Sequence, residues 1–214
     1  MLHKYLEIAS TPAVKRERRH YGSAAQYARI DGTLDSEGPL RNDQLGPDEE
    51  AFIAERDGFY LASVSETGWP YVQFRGGPIG LLRVLDDKTL GFADFRGNRQ
   101  YITTGNVSGN DRVSLFLMDY AHQRRLKIFG RMHVVDATIN AALETRLSVP
   151  GYAARVERAV TITIEAFDWN CPRHITPRFS EAEVAELLAP IKARLASLED
   201  ENRSLRDRLG QARE

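Results

Sequence analysis

The stretch RRLKIFGRMHVV, residues 124–135, decides how this chain folds. Arg125, Lys127, Phe129, Arg131 and His133 share one parity, and Leu126, Ile128, Met132 and Val134 share the other. A period of two puts the two sets on opposite faces of an extended strand, one apolar and one cationic.

Working outward, RVSLFLMDY (112–120) reads as a second strand. FYLASVS (59–65), YVQFRGG (71–77), IGLLRVL (79–85) and TLGFADF (89–95) precede it. The turn-forming pieces ETGWP, GGP and DDK separate them, together with a longer insert, GNRQYITTGNVSGND, at 97–111. A last strand, AVTITIEAFDW (159–169), follows a helical stretch near 137–147 and a break at Pro150-Gly151. Six or seven short, closely spaced strands predict a mainly β fold, an antiparallel barrel with short peripheral helices.

The flanks differ in character. Residues 1–46 mix short amphipathic pieces with the turn-rich GTLDSEGPLRNDQLGP and read as an arm laid over something else. At Pro47 the barrel domain, 47–179, opens with a short helix, because Asp48, Glu49 and Glu50 fill its first turn and Gly58 follows its end. Residues 180–214 read as a C-terminal helix with a coiled-coil seam, the alternative being an amphipathic helix packed on its own domain. Leu188, Leu195, Asn202 and Leu209 take a positions, and Ile191, Leu198 and Leu205 take d positions. In a parallel dimer Arg194 faces Glu199 of the other copy and Glu201 faces Arg206. A single Asn at an a position fixes register. Pro190, at a c position, marks about where the regular coil begins.

The 214 residues carry 29 basic and 30 acidic side chains and are 42% hydrophobic, enough for a real core but without a global positive field. The cluster Lys15, Arg16, Arg18, Arg19 and His20 is broken by Glu17, so a solvated arm is expected there rather than a nucleic-acid interface. The first 22 residues hold no continuous apolar run, so neither a secretory signal nor a membrane anchor is expected. A lone cysteine, Cys171, excludes an intrachain disulfide and fits a reducing cytoplasm. Cys171 and His174 have metal-ligand spacing without further ligands nearby, so no metal site is expected. There is no Walker loop, dinucleotide G-x-G-x-x-G or Ser-His-Asp order.

Three segments converge on anion binding. In TLGFADFRGNRQYITTGN (89–106) a strand ends at Phe95 and a turn through Gly97 leads to a helix, for which Asn98 is the expected N-cap. Free N–H groups at such a start, with Arg99 beside them, suit a phosphate. The cationic face of 124–135 adds Arg125 and Lys127. YVQFRGG adds Tyr71, Gln73 and Arg75 on one side, ahead of two glycines that allow a ligand close to the backbone.

Together these segments resemble the FMN-binding split β-barrel of the pyridoxamine 5′-phosphate oxidase-like family, over roughly residues 45–170. The markers run in order. They are the turn at Gly68-Trp69-Pro70, the strand to Asp94-Phe95, Gly97-Asn98-Arg99, then Asn110-Asp111-Arg112-Val113 and the basic strand ending at Gly130. The resemblance implies a homodimer holding FMN between subunits. It gives the phosphate to Arg75, Arg99 and Gln100 beside Asn98, with Arg125 or Lys127 closing the site. Gln73, Gly76, Ala93 and Asp94 would lie along the ribityl chain and ring edge, and Trp169 and His174 would line the pocket. Family members acting on pyridoxamine phosphate usually carry Lys where this chain has Gln100 and end in a substrate segment with Trp and Arg, whereas this chain ends in WNCPRHITPRF and a coil. Those departures point away from a vitamin B6 phosphate substrate. The function expected is FMN-dependent oxidation or reduction of a small molecule, the alternative being a non-catalytic flavin or haem sensor or carrier.

Overall fold

The computed structural model describes residues 2–32, 40–136, 141–169 and 173–211. Cys171 therefore lies outside the described residues. The arm contains β1 (Leu2–His3), α1 (Lys4–Ala9), α2 (Pro12–His20), α3 (Ala24–Gly32) and β2 (Leu40–Arg41). The barrel follows with α4 (Pro47–Ala54), β3 (Gly58–Val64), β4 (Pro70–Gly76), β5 (Leu82–Asp86), β6 (Thr89–Phe95) and α5 (Ile102–Gly109). It continues with β7 (Arg112–Asp119), β8 (Arg124–Asp136), α6 (Ala141–Leu147) and β9 (Val156–Trp169), and the chain ends in α7 (Glu181–Gln211).

Two compact units result. One comprises Met1–Asp119 and Arg124–Arg173, the other Tyr120–Gln123 and His174–Glu214. In the second, Gln123 Nε2 donates to the Ile175 carbonyl at 2.6 Å and the Arg178 guanidinium lies 5.0 Å from the Tyr120 ring centre. No described helix is long and apolar enough to cross a membrane.

The first unit is built on one seven-stranded sheet in the order β4-β3-β7-β8-β9-β6-β5, all of it antiparallel. In that order β3 and β6 are four strands apart, which in a flat sheet is about 19 Å. Their side chains Phe59 and Phe92 nevertheless meet with ring centres 5.3 Å apart. The sheet is therefore rolled, and the mainly β split barrel with peripheral helices expected from the sequence is what forms. Period-two patterning drives the rolling. Leu115, Leu117, Leu126, Ile128, Ile162 and Ile164 all point inward and are buried, joined from outside the sheet by Leu45, Phe52 and Ile53.

The alternation read in residues 124–135 is observed, Leu126, Ile128 and Met132 being buried. Its outer face is more occupied than charge alone implies. Helix α1 lies there, with Tyr5 buried and stacked on Phe129 at 4.4 Å and nearly coplanar. Burial, reinforced by the nearby Asp168 charge, pushes the Tyr5 phenol above its ordinary pKa and keeps it neutral. Lys127 pairs with Asp168 at 2.7 Å and reaches over the Tyr5 ring, while Arg131 bridges Glu165 at 2.6 Å and Asp111 at 2.9 Å. In the arm, Lys15, Arg16, Arg18, Arg19 and His20 lie on α2, started by Thr11 accepting from the Val14 amide, and no residue of that helix is buried.

Gly130 sits where β8 and β9 slip register between Phe129 and Gly130. A Cβ there would lie 2.6 Å from Ile162 Cγ2 and 2.8 Å from the Thr163 carbonyl oxygen, which is backbone and cannot turn aside. At Gly91 the nearest atoms, 2.7 and 2.9 Å away, are side-chain ends of Leu147 and Leu85. Gly130→Ala is therefore expected to destabilise the fold by about 2 kcal/mol and Gly91→Ala by clearly less, measured by urea denaturation. Equal costs would remove the backbone argument.

Candidate functional site

The site grows from the mouth of the barrel, where β4, β6, the start of α5 and the start of β9 meet. Strand parity places Tyr71, Gln73 and Arg75 of β4 on one wall of a cleft of about 180 Å³. Asp94 and Phe95 of β6 form its floor, and the loop Gly97–Tyr101 forms its rim. On β9, register against β6 shifts between Asp94 and Phe95, since Asp94 faces Arg158 and Phe95 faces Val156. That bulge leaves Glu157 extra, so two consecutive side chains, Glu157 and Arg158, both line the cleft.

One carboxylate organises the floor. Asp94 is only 3% exposed and accepts from two guanidiniums at once. Arg75 Nη1 bonds its Oδ1, and Arg158 bonds its Oδ2 through Nε at 2.8 Å and Nη2 at 2.6 Å. Burial opposes the charge on Arg158, but hydrogen bonds and attraction from Asp94 outweigh it and hold the pKa above the ordinary arginine value. The Arg158 guanidinium also lies 4.8 Å from the Tyr101 ring centre and 3.4 Å from the Glu157 carboxylate. Arg75, Arg99 and Arg158 against Asp94 and Glu157 leave the lining one positive charge in excess.

The rim keeps its donors toward solvent. Arg99 and Tyr101 hold left-handed backbone, with φ of 61° and 55°, which curls residues 98–101 tightly. Arg99 Nε donates to the Tyr101 hydroxyl at 3.1 Å, and that bond raises the Arg99 pKa. Asn98 does not cap the helix as expected. Its Oδ1 accepts from the Gln100 amide at 3.2 Å in a local turn, and Tyr101 occupies the N-cap without a side-chain bond. The reason is steric and local: an Asn two residues before an amide closes an Asx turn, which here wins over a cap three residues further on. Below the rim, Thr103 donates to Gln73 Oε1 at 3.1 Å, and Asn106 donates to Ser63 at 3.0 Å, tying α5 to β4 and β3.

Of the residues singled out in the sequence, Gln73, Arg75, Asp94, Asn98, Arg99 and Gln100 come together in this cleft. Others lie elsewhere in the chain. Ala93 faces the opposite side of β6, packed with Leu147 of α6 and Ala159. Gly76 pairs with Gly58 and gives room to the Phe74 ring. Lys127 is committed to Asp168, and Arg125 lies over Phe116 with a buried Nε that has no hydrogen-bond partner among the described residues. Trp169 donates to Glu49 at 2.6 Å and packs edge-on against Phe52. His174 belongs to the second unit, exposed and with φ of 65°. Sequence reading missed Tyr101, Thr103, Glu157 and Arg158. For Arg158 the signal was weak, because the strand was read as starting at Ala159, one residue beyond it.

Residues 45–167 match the family model described as pyridoxamine 5′-phosphate oxidase. The chain belongs to that family. No curated protein matches it. Similar solved structures include HupZ of Group A Streptococcus, at 15% identity over 63% of this chain and 99% of that one, with a TM-score of 0.46. A putative pyridoxamine 5′-phosphate oxidase from Lactobacillus delbrueckii is 18% identical over 60% of this chain and 96% of that one, TM-score 0.43. An FMN-binding protein from Syntrophomonas wolfei is 12% identical over 57% and 83%, TM-score 0.44.

Asp94→Asn keeps the shape of the floor and removes the charge that Arg75 and Arg158 share. Loss of that single partner is expected to cost about 3 kcal/mol, and adding Arg158→Gln should restore part of it. A neutral Asp94→Asn in thermal or urea unfolding would show that the carboxylate does not hold the barrel mouth.

Proposed function

We propose that the cleft receives the phosphate of FMN and that the protein is a cytoplasmic, homodimeric FMN-dependent oxidoreductase acting on a small molecule. The observation that carries this reading is an unspent donor. Asp94 engages only Nη1 of Arg75, whose side chain lines the cleft and stays 16% exposed. An η N–H that Asp94 does not take is open to the cleft, and a phosphate oxygen is an acceptor that suits it. Arg99 at the rim supplies a second cation, its Nε bonded to the neutral Tyr101 hydroxyl.

The residues fit the group in kind. Arg75 and Arg99 would hold the phosphate with the Asn98 and Gln100 side chains, and Gln73 with Thr103 offers polar contacts to a hydroxylated chain. When bound, FMN would supply two-electron exchange with the substrate, and the protein supplies binding, orientation and electrostatics. Asp94 is hydrogen-bonded by Arg75 and Arg158, whereas Glu157 lies beside Arg158 and Arg96 with a buried Oε2 that has no hydrogen-bond partner among the described residues. The second reading is a flavin carrier with the same site. A haem ligand is less well suited, because the described cleft lining holds no histidine to serve as an axial ligand.

A second copy is part of this reading. At about 180 Å³ the cleft falls below the roughly 300–1,000 Å³ usual for cofactor-sized sites, as half of a shared site would. The outer face of β3 and β4 exposes Tyr60, Val64, Val72 and Phe74, an apolar patch fit for a partner barrel. Of the two candidates on the basic strand, Lys127 is already paired with Asp168, whereas no ion pair holds Arg125 among the described residues.

The purified protein should be yellow and release FMN identifiable by mass spectrometry. A colourless protein that takes up no added FMN would overturn the reading. Arg99→Ala is expected to weaken FMN binding roughly tenfold to thirtyfold in fluorescence titration, with unfolding unchanged. Unaltered affinity would remove Arg99 from the phosphate site.

A further inference from the structure

We infer that α7 pairs with α7 of a second copy of this chain as a parallel, in-register coiled coil. Residues Ser180 and Glu183 fix the start of the helix reciprocally. The Ser180 amide donates to Glu183 Oε2 at 2.7 Å, and Ser180 Oγ accepts from the Glu183 amide at 3.2 Å. From there 31 residues run as one helix, through Pro190, with none buried.

Along it the seam residues Leu188, Ile191, Leu195, Leu198, Leu205 and Leu209 are 39–66% exposed. A row of six large aliphatic side chains left in water is the feature that a partner helix removes. The period is 3.5 residues, which a single neighbouring helix can follow over its length by supercoiling.

The charges say what that neighbour is. Arg194, Glu199, Glu201 and Arg206 flank the seam at g and e positions, and no hydrogen bond or ion pair joins them to a described residue. The ion pair on this part of the helix, Arg203 to Asp200 at 3.1 Å, lies on the outward face. In a parallel pair Arg194 meets Glu199 of the second copy and Glu201 meets Arg206, twice each by symmetry.

Asn202 sets the direction. Opposite charges can also be matched in an antiparallel pair, where a positions face d positions and Asn202 would be set against Ile191 with its amide unpaired. In the parallel pair the two Asn202 side chains face each other and bond. With seven layers the coil is short. It acts as a tether, holding two barrels at an effective concentration of about millimolar, rather than as the whole source of dimer stability. The inference does not depend on the flavin reading.

The test uses the full chain with Cys171→Ser. Leu205→Cys, at a d position, is expected to oxidise to a disulfide-linked dimer on a non-reducing gel, as is Leu198→Cys. Ser204→Cys, at an outward c position, sets the collisional background. In an antiparallel pair residue 205 lies against residue 188, far from its own copy, and gives no link. Cross-linking of Leu205→Cys no greater than that of Ser204→Cys would overturn the inference, including when Leu198→Cys links or the barrels alone dimerise.

Discussion

Asp94 is the point on which the mouth of the barrel turns. Three strands that are not all neighbours in the sheet, β4, β6 and β9, converge there because one buried carboxylate is shared by the guanidiniums of Arg75 and Arg158. A lone buried charge of either sign would be strongly unfavourable. The group of three is tolerated because attraction and directed hydrogen bonds offset the loss of hydration, and because its excess of one positive charge faces an open cleft. The same arrangement that joins the strands thus leaves the cleft electropositive.

The chemistry follows from what the ion group leaves unused. A guanidinium has five donors in a rigid fork, and Asp94 cannot occupy those of two arginines at once. The η donors that Asp94 does not take are available to a second anion, and the left-handed turn at Arg99 adds a cation at the rim without burying it. The floor is buried and tied by ion pairs and the rim is exposed, a combination suited to capturing a phosphate from solution and fixing its position.

Much of this was legible from period and parity. The strict alternation of residues 124–135, and of Tyr71, Gln73 and Arg75, predicted both the strands and the faces they present, because a pleated strand leaves no other option. Parity also separates residues that resemblance had grouped. Ala93 and Asp94 are adjacent in β6, as Arg75 and Gly76 are in β4, so neither pair can share a face. What was not legible depends on distant partners or on broken regularity. Nothing local to Lys127 reveals Asp168 across the ladder, and nothing local to Trp169 reveals Glu49 on α4. Arg158 enters the cleft through a bulge, which no alternation pattern announces, and Tyr101 does so through a left-handed turn that a non-glycine residue rarely adopts.

The account rests on the cleft recognising a phosphate rather than an isoalloxazine ring. The most direct measurement is a comparison of FMN with riboflavin, which differ in that group alone, by fluorescence titration of the ligand-free protein. Charge-assisted bonds from Arg75 and Arg99 predict that FMN binds roughly a hundredfold more tightly, with the gap narrowing as salt is raised. Equal affinity for the two would contradict the account.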